Sequence, residues 1–204
     1  MRSPKSVDKL EELGRVRLSR SFYMRDFLYS EISNVYGVAN IPDDPDLAIK
    51  NGTRLCEDLL EPLQDTFGRI AIRSAYRSPA VNQLGNEKGH NCASNESNYA
   101  NHIWDYPDKD GGMGATACIV VPWFTDAIEL GADWRAMAYW IHNHLPYAHL
   151  EFFPNLCAFN IGWHTQPARS IFSYIHPHKG FLLRGEQPKE EYAAYYAGFP
   201  ALQK

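Results

Sequence analysis

"LEPLQDTFGRIAIRSAYRSPAVN" (residues 60–82) carries three kinds of local signal in 23 residues, and they set the plan of the chain. Its first part closes a helix. Upstream, residues 47–68 place Leu47, Leu55, Leu59 and Leu63 at helical period, with Pro62 late and Gly68 at the stop. "RIAIRSAY" then alternates apolar and polar residues, the pattern of a strand with one face buried. "RSPAVN" turns at Pro79 into a short helix.

Outward from this stretch, residues 7–16 read as a short helix. Ser21 reads as the N-cap of a second, over residues 22–36, with Phe22, Phe27 and Ile32 in rough helical spacing and Gly37 at its C-terminal end. Residues 85–112 form a long polar region, and such regions within a domain usually carry function. "ATACIVVPWF" (residues 115–124) reads as a buried strand, "DWRAMAYWIHNHL" as a helix, and "AHLEFFP" and "FNIGWH" as strands. Helices first, then a sheet with an inserted helix, predict an α+β fold in which N-terminal helices pack on a small, mainly antiparallel sheet. Residues 70–73, 117–121 and 148–152 should share that sheet. The 204 residues suit a single domain, with a core over about 20–183 and a polar, then aromatic tail over 184–204.

Composition is that of an ordinary globular chain: 45% hydrophobic, 22% charged, net charge −4. Nothing in it favours a nucleic-acid or membrane partner. The N-terminal residues lack an apolar stretch, and no transmembrane run follows, so the expected compartment is the cytoplasm. There the four widely spaced cysteines, Cys56, Cys92, Cys118 and Cys157, read as thiols, with at most one or two as metal ligands. Aromatics at 13% fit either a lined cleft or a core rich in Tyr and Trp.

The order of motifs resembles the zinc D-alanyl-D-alanine carboxypeptidases, whose fold is shared with hedgehog signalling domains. The resemblance spans roughly residues 22–152. Its most specific part is the opening stretch, similar to a family pattern of helix end, Gly turn, strand and Ser-Gly-Tyr-Arg-Ser motif followed by Asn. Gln64 stands where the family has Arg, and Ala75 where it has Gly. The family's zinc ligands are the His and Asp of a Ser-x-His-x-x-Gly-x-Ala-x-Asp motif and a later His after an aromatic. By position these fall on His102, Cys118 in "GATAC", and His149 in "YAHLEF". Ala100 replaces the Ser, and an insertion separates His102 from Gly114.

The resemblance therefore implies a metal set of His102, Cys118 and His149, with zinc as the cofactor. Such a site keeps a fourth position for water. Thiolate binds zinc well but lowers its Lewis acidity; inside an apolar strand, Cys118 also reads as an inert packing thiol. The family's general-base carboxylate has no counterpart, since Leu145, Pro146 and Tyr147 stand there. Glu151, His144 and His164 are the candidate catalytic groups in its place. Arg77, flanked by Tyr76 and Ser74, is the expected substrate-binding cluster, because a guanidinium grips a carboxylate bidentately. His90 and Cys92 in the long loop, His142 at the helix end, and His176 and His178 beside Pro177 are further ligand types without a family role.

Three functions fit these residues. The first is a divergent metal-dependent enzyme acting on a small peptide, amide or related metabolite without needing a hydrolytic base. The second is a true carboxypeptidase or peptidoglycan hydrolase, of the kind a phage carries. The third is a scaffold that binds a ligand without catalysis.

Overall fold

Helices come first and the sheet follows in the computed structural model, which describes residues 1–203. Ser6 caps α1 (Val7–Gly14). The helix expected over residues 22–36 is split in two. Asp26 folds back on the Tyr23 amide at 2.8 Å and closes a 3-10 turn at Met24–Phe27. Ser30 then caps a separate α2 (Glu31–Tyr36), and Gly37, at φ 68°, ends it in the left-handed region as its position predicts. Two local caps outweigh the helical spacing of the apolar residues.

The leucine-spaced segment is α3 (Pro45–Leu55) and α4 (Glu61–Phe67), joined without a break by a π-turn at Cys56–Leu60. Asp44 caps it, accepting from the Leu47 amide at 3.1 Å. The ring of Pro62 would crowd the carbonyl of Asp58 in a regular helix, and the wide turn falls at that carbonyl.

After Gly68 come β1 (Ala71–Ser74), α5 (Pro79–Glu87), α6 (Asn95–Asn98) and β2 (Gly114–Val120). The apolar run after β2 is not strand throughout: Pro122 at the first helical position opens α7 (Pro122–Glu129). α8 (Arg135–His144), β3 (His149–Phe152) and β4 (Phe159–His164) follow as expected, then two strands without a clear sequence signal, β5 (Ser170–Ser173) and β6 (Gly180–Leu183). The six strands form one sheet in the order β1-β2-β4-β3-β5-β6, antiparallel except for β3 beside β5. The fold is α+β, and the three strands expected to share a sheet do so.

The pleat divides the sheet's side chains between two environments. Ala115, Ala117, Ile119, Leu150, Phe152, Phe159, Ile161 and Ile171 are buried in the main core with Leu59, Leu63, Phe67 and Trp140. Each large side chain there contributes about 1.5–3 kcal/mol of apolar burial. Trp104, Trp140, Tyr76 and Tyr147 are among the largest fully buried residues, so much of the aromatic excess serves the core. The tail packs on α8: Tyr192 stacks on Tyr139 at 4.5 Å. Among the described residues no helix is long and apolar enough to cross a membrane. The opposite face of the sheet carries the polar residues.

Candidate functional site

Register fixes two rows of side chains on that face. Ser74, Cys118, Asn160 and Glu151 lie across β1, β2, β4 and β3 in one row. Thr116, Gly162, His149 and Ser170 lie in the next. In the first row Asn160 donates to the Glu151 carboxylate at 2.7 Å. In the second, His149 lays its imidazole across Gly162, and its Nε2 meets the Thr116 hydroxyl at 3.1 Å. Gly162 is required by this contact: a Cβ there would fall 2.6 Å from His149 Nδ1.

His102 arrives from the loop before β2. Its Nδ1 lies 2.7 Å from the carbonyl of Ala75. A carbonyl only accepts, so Nδ1 carries the proton and Nε2 is left as a lone pair. The Arg77 amide in turn donates to the carbonyl of His102 at 2.8 Å. The segment after β1 therefore places both His102 and Arg77. Trp104 anchors the loop further on, its indole donating to the Thr116 carbonyl at 3.1 Å.

Burial pushes His102 well below its ordinary pKa of 6.5, and the nearby charges of Arg77 and His149 push the same way. His149 is lowered by burial, an effect that the Glu151 carboxylate opposes. Both imidazoles are thus neutral near pH 7, the form that accepts a proton or binds a metal. The Cys118 thiol is pushed up to about 11, mainly by burial; Arg73 and Arg77 act against this, while Glu151 and Glu31 add to it. At neutral pH it is a protonated, unreactive thiol.

Ser74, Arg77, His102, Cys118, Asn160 and Glu151 wall a cleft of about 940 Å³ that also includes His90, Cys92 and Asn101, while His149, expected to share it with His102, is not among the residues that line it. Four charged side chains line it: Glu31, Arg73, Arg77 and Glu151. Among the described residues none of the four takes part in an ion pair. Asn101 also carries a buried side-chain oxygen with no hydrogen-bond partner among the described residues.

Other candidates lie elsewhere. Tyr76, expected to touch substrate, is fully buried; its hydroxyl donates to Asp105 at 3.1 Å and its ring edge meets Trp104. Tyr76 lies beyond the end of β1, and these contacts hold it inward, while its neighbours Ser74 and Arg77 line the cleft. His144, expected as a proton carrier, sits between the rings of Trp140 and Tyr196 on the helix-covered side of the sheet. Its place at the end of α8 puts the core between it and the cleft. His164 holds the inserted loop: Nε2 faces Asp108 at 3.1 Å and the ring packs on Gly112. His149 feels its charge, but it is not part of the cleft wall. His142 bonds Tyr147 at 2.7 Å, and His176 and His178 line a separate cavity beside Trp134.

Arg73, Asn160 and Glu31 are cleft residues that the motif reading passed over. The first two had a signal, being polar residues set in apolar strand patterns. Asp105 was passed over too. Its buried carboxyl accepts from the amides of Asp43 and Asp44 and from Tyr76, and burial raises its pKa. It joins the His102 loop to the start of α3.

His102 suits a zinc ligand well, because one ring nitrogen is anchored by a carbonyl and the other is open. His149 is near enough for its charge to be felt at His102. Cys118 stands in the neighbouring row with its proton on. Among the described residues no three His, Cys, Asp or Glu side chains converge as a metal-holding group. Of the three expected donors, His102 and Cys118 line the cleft; His149 lies on the same sheet face with its Nε2 against Thr116, and Cys118 keeps its proton. Comparison with family models, with curated proteins and with solved structures gives no match.

Proposed function

We propose that this chain is a divergent metal-dependent enzyme of the D-alanyl-D-alanine carboxypeptidase type. Its cleft takes a small peptide, amide or related metabolite bearing a carboxylate. The observation that carries this reading is the pairing of His102 and Arg77: a neutral imidazole with an open Nε2, and an Arg outside any ion pair among the described residues, held by one three-residue segment on one cleft. Arg77 grips the carboxylate through its planar fork. His102 would offer a zinc ion its open Nε2, with His149 as a second ligand if its Nε2 left Thr116, and zinc there would supply Lewis-acid polarisation of a carbonyl. Cys118 lines the same cleft and, while protonated, supplies no charge. The net charge of −4 and the four unpaired buried cysteines favour a small-molecule partner and work in the cytoplasm.

A hydrolytic reading has one observation in its favour. Glu151 lines the same cleft on the strand that bears His149, fixed by Asn160. That carboxylate is available as a general base in place of the missing upstream one.

The test is turnover of D-alanyl-D-alanine peptides with added zinc, beside the Cys118→Asp variant. Weak or absent hydrolysis by the native chain, increased in Cys118→Asp, supports the divergent reading. Robust hydrolysis by the native chain, lost in Glu151→Gln, supports the plain carboxypeptidase instead.

A further inference from the structure

A second cavity, of about 290 Å³, opens behind Arg77. Glu31, Ser74, Arg77 and His90 line both this cavity and the main cleft, so the two spaces meet at the guanidinium. Beyond that shared wall the lining changes character: besides Ser30 and the buried Tyr76, the side chains of Tyr29, Ile32, Val35 and Tyr36 surround the space. They come from α2 and the residue before its cap. No residue of α2 is buried, and Val35 is 76% and Tyr29 58% exposed. A short helix that spends its apolar side chains on an open cavity leaves apolar surface for something to cover.

The cavity is built rather than frayed. Ser30 caps α2, and Ile32 packs so closely on Gly85 of α5 that a Cβ there would lie 2.7 Å from its Cδ1. At the wall shared with the main cleft the Tyr36 hydroxyl meets His90 Nε2 at 2.8 Å, and the two rings lie 5.6 Å apart. This contact links α2 to the loop after α5 across the cavity.

We infer that this cavity is a side-chain subsite, which receives an apolar or aromatic side chain on the same residue whose carboxylate Arg77 holds. The inference rests on Arg77 being the carboxylate's partner. A cavity of ~150 Å³ lined by apolar side chains holds benzene, so this one has room for a phenyl or indole group. Charge at the mouth and apolar walls behind it match a ligand with a carboxylate and a neighbouring hydrophobic side chain. A terminal alanine would leave the cavity without an apolar occupant.

The experiment is calorimetric titration of the full chain, with zinc added, using acetyl-glycyl-alanine and acetyl-glycyl-phenylalanine in both enantiomers. The phenylalanine peptide of one hand should bind roughly tenfold or more tighter than its alanine counterpart, the scale of a filled apolar pocket. Val35→Asn, at an exposed position, makes the wall polar without adding a charge near Arg77 and should reduce that preference several-fold. Equal affinity for both peptides, with both lost in Arg77→Met, overturns the subsite while the carboxylate site stands. A preference for phenylalanine that is undiminished in Val35→Asn also overturns it. If no peptide binds, or Arg77→Met has no effect on binding, the reading of Arg77 fails and the subsite with it.

Discussion

Arg77 and His102 hold each other's place: the Arg77 amide donates to the His102 carbonyl at 2.8 Å, and the His102 ring is pinned two residues earlier, on the carbonyl of Ala75 at 2.7 Å. Backbone groups make both contacts, so the Arg77 side chain is free for a ligand. Replacing it by Met keeps the amide and most of the volume. Arg77→Met should leave thermal unfolding nearly unchanged and weaken carboxylate binding by about 2–5 kcal/mol, the cost of removing one partner of a buried charged pair. Calorimetry of both proteins checks this. A large fall in melting temperature would mean that the side chain serves the fold.

His149 lies across Gly162, and any side chain there must displace the ring. Gly162→Ala should cost about 1–3 kcal/mol, as overpacking does. For a chain of this size each kcal/mol lowers the melting temperature by roughly 2–4 °C. Zinc affinity should fall as well, because His149 loses its position. An alanine variant with native melting and native zinc affinity would show that the ring is not fixed there.

Acid should destabilise the metal-free protein. Burial holds His102, His142, His144 and His149 below their ordinary 6.5. The unfolded chain takes up these protons near that value, while the folded chain takes them only at lower pH. Stability from these groups is therefore complete above 6.5 and declines as the pH falls below it, towards the folded values. Asp105, raised above its ordinary 3.8, works in the other direction, since the folded state protonates it first. Four histidines act together against this one carboxyl. Urea unfolding with chelator present should give a smaller free energy at about pH 5.5 than at about 7.5. An equal or larger value at the lower pH would contradict the assignment.

The Cys118 thiol, buried and pushed up to about 11, should resist alkylation near neutral pH in the folded protein and react on unfolding. Mass spectrometry after brief iodoacetamide treatment reads this out. If added zinc draws the thiol into the centre, protons are released on binding, and a buffer-dependent binding enthalpy will reveal them. Rapid modification of Cys118 in the native, metal-free chain would place it in an ionising environment.

Much of the fold is legible where one local signal acts alone. The leucine spacing of α3 and α4 and the alternation of β1 each point one way. The helix over residues 22–36 fails because Asp26 and Ser30 each cap their own turn, and capping competes with apolar spacing on equal terms. In β5 and β6 the apolar residues are adjacent, Ile171 beside Phe172 and Phe181 beside Leu182 and Leu183, so no alternation stands out. The site divides similarly. His102, Arg77 and Glu151 are visible as chemical types in sequence. Arg73 and Asn160 show in sequence only as polar residues in apolar strands; their place in the cleft follows from the irregularity between Ile72 and Ser74 and from the pairing of Asn160 with Cys118 and Glu151. The chemistry of Tyr76 and His144 points towards the cleft, but the bond to Asp105 and the contact with Trp104 hold Tyr76 inward, and the far end of α8 places His144 elsewhere.

The most direct measurement is titration of D-alanyl-D-alanine dipeptide into the zinc-loaded chain and into its Arg77→Met and His102→Ala variants. The account predicts saturable binding to the native chain, lost in both variants, with little release of free alanine. Absence of binding by any carboxylate-bearing dipeptide, or binding that survives both substitutions, would contradict it.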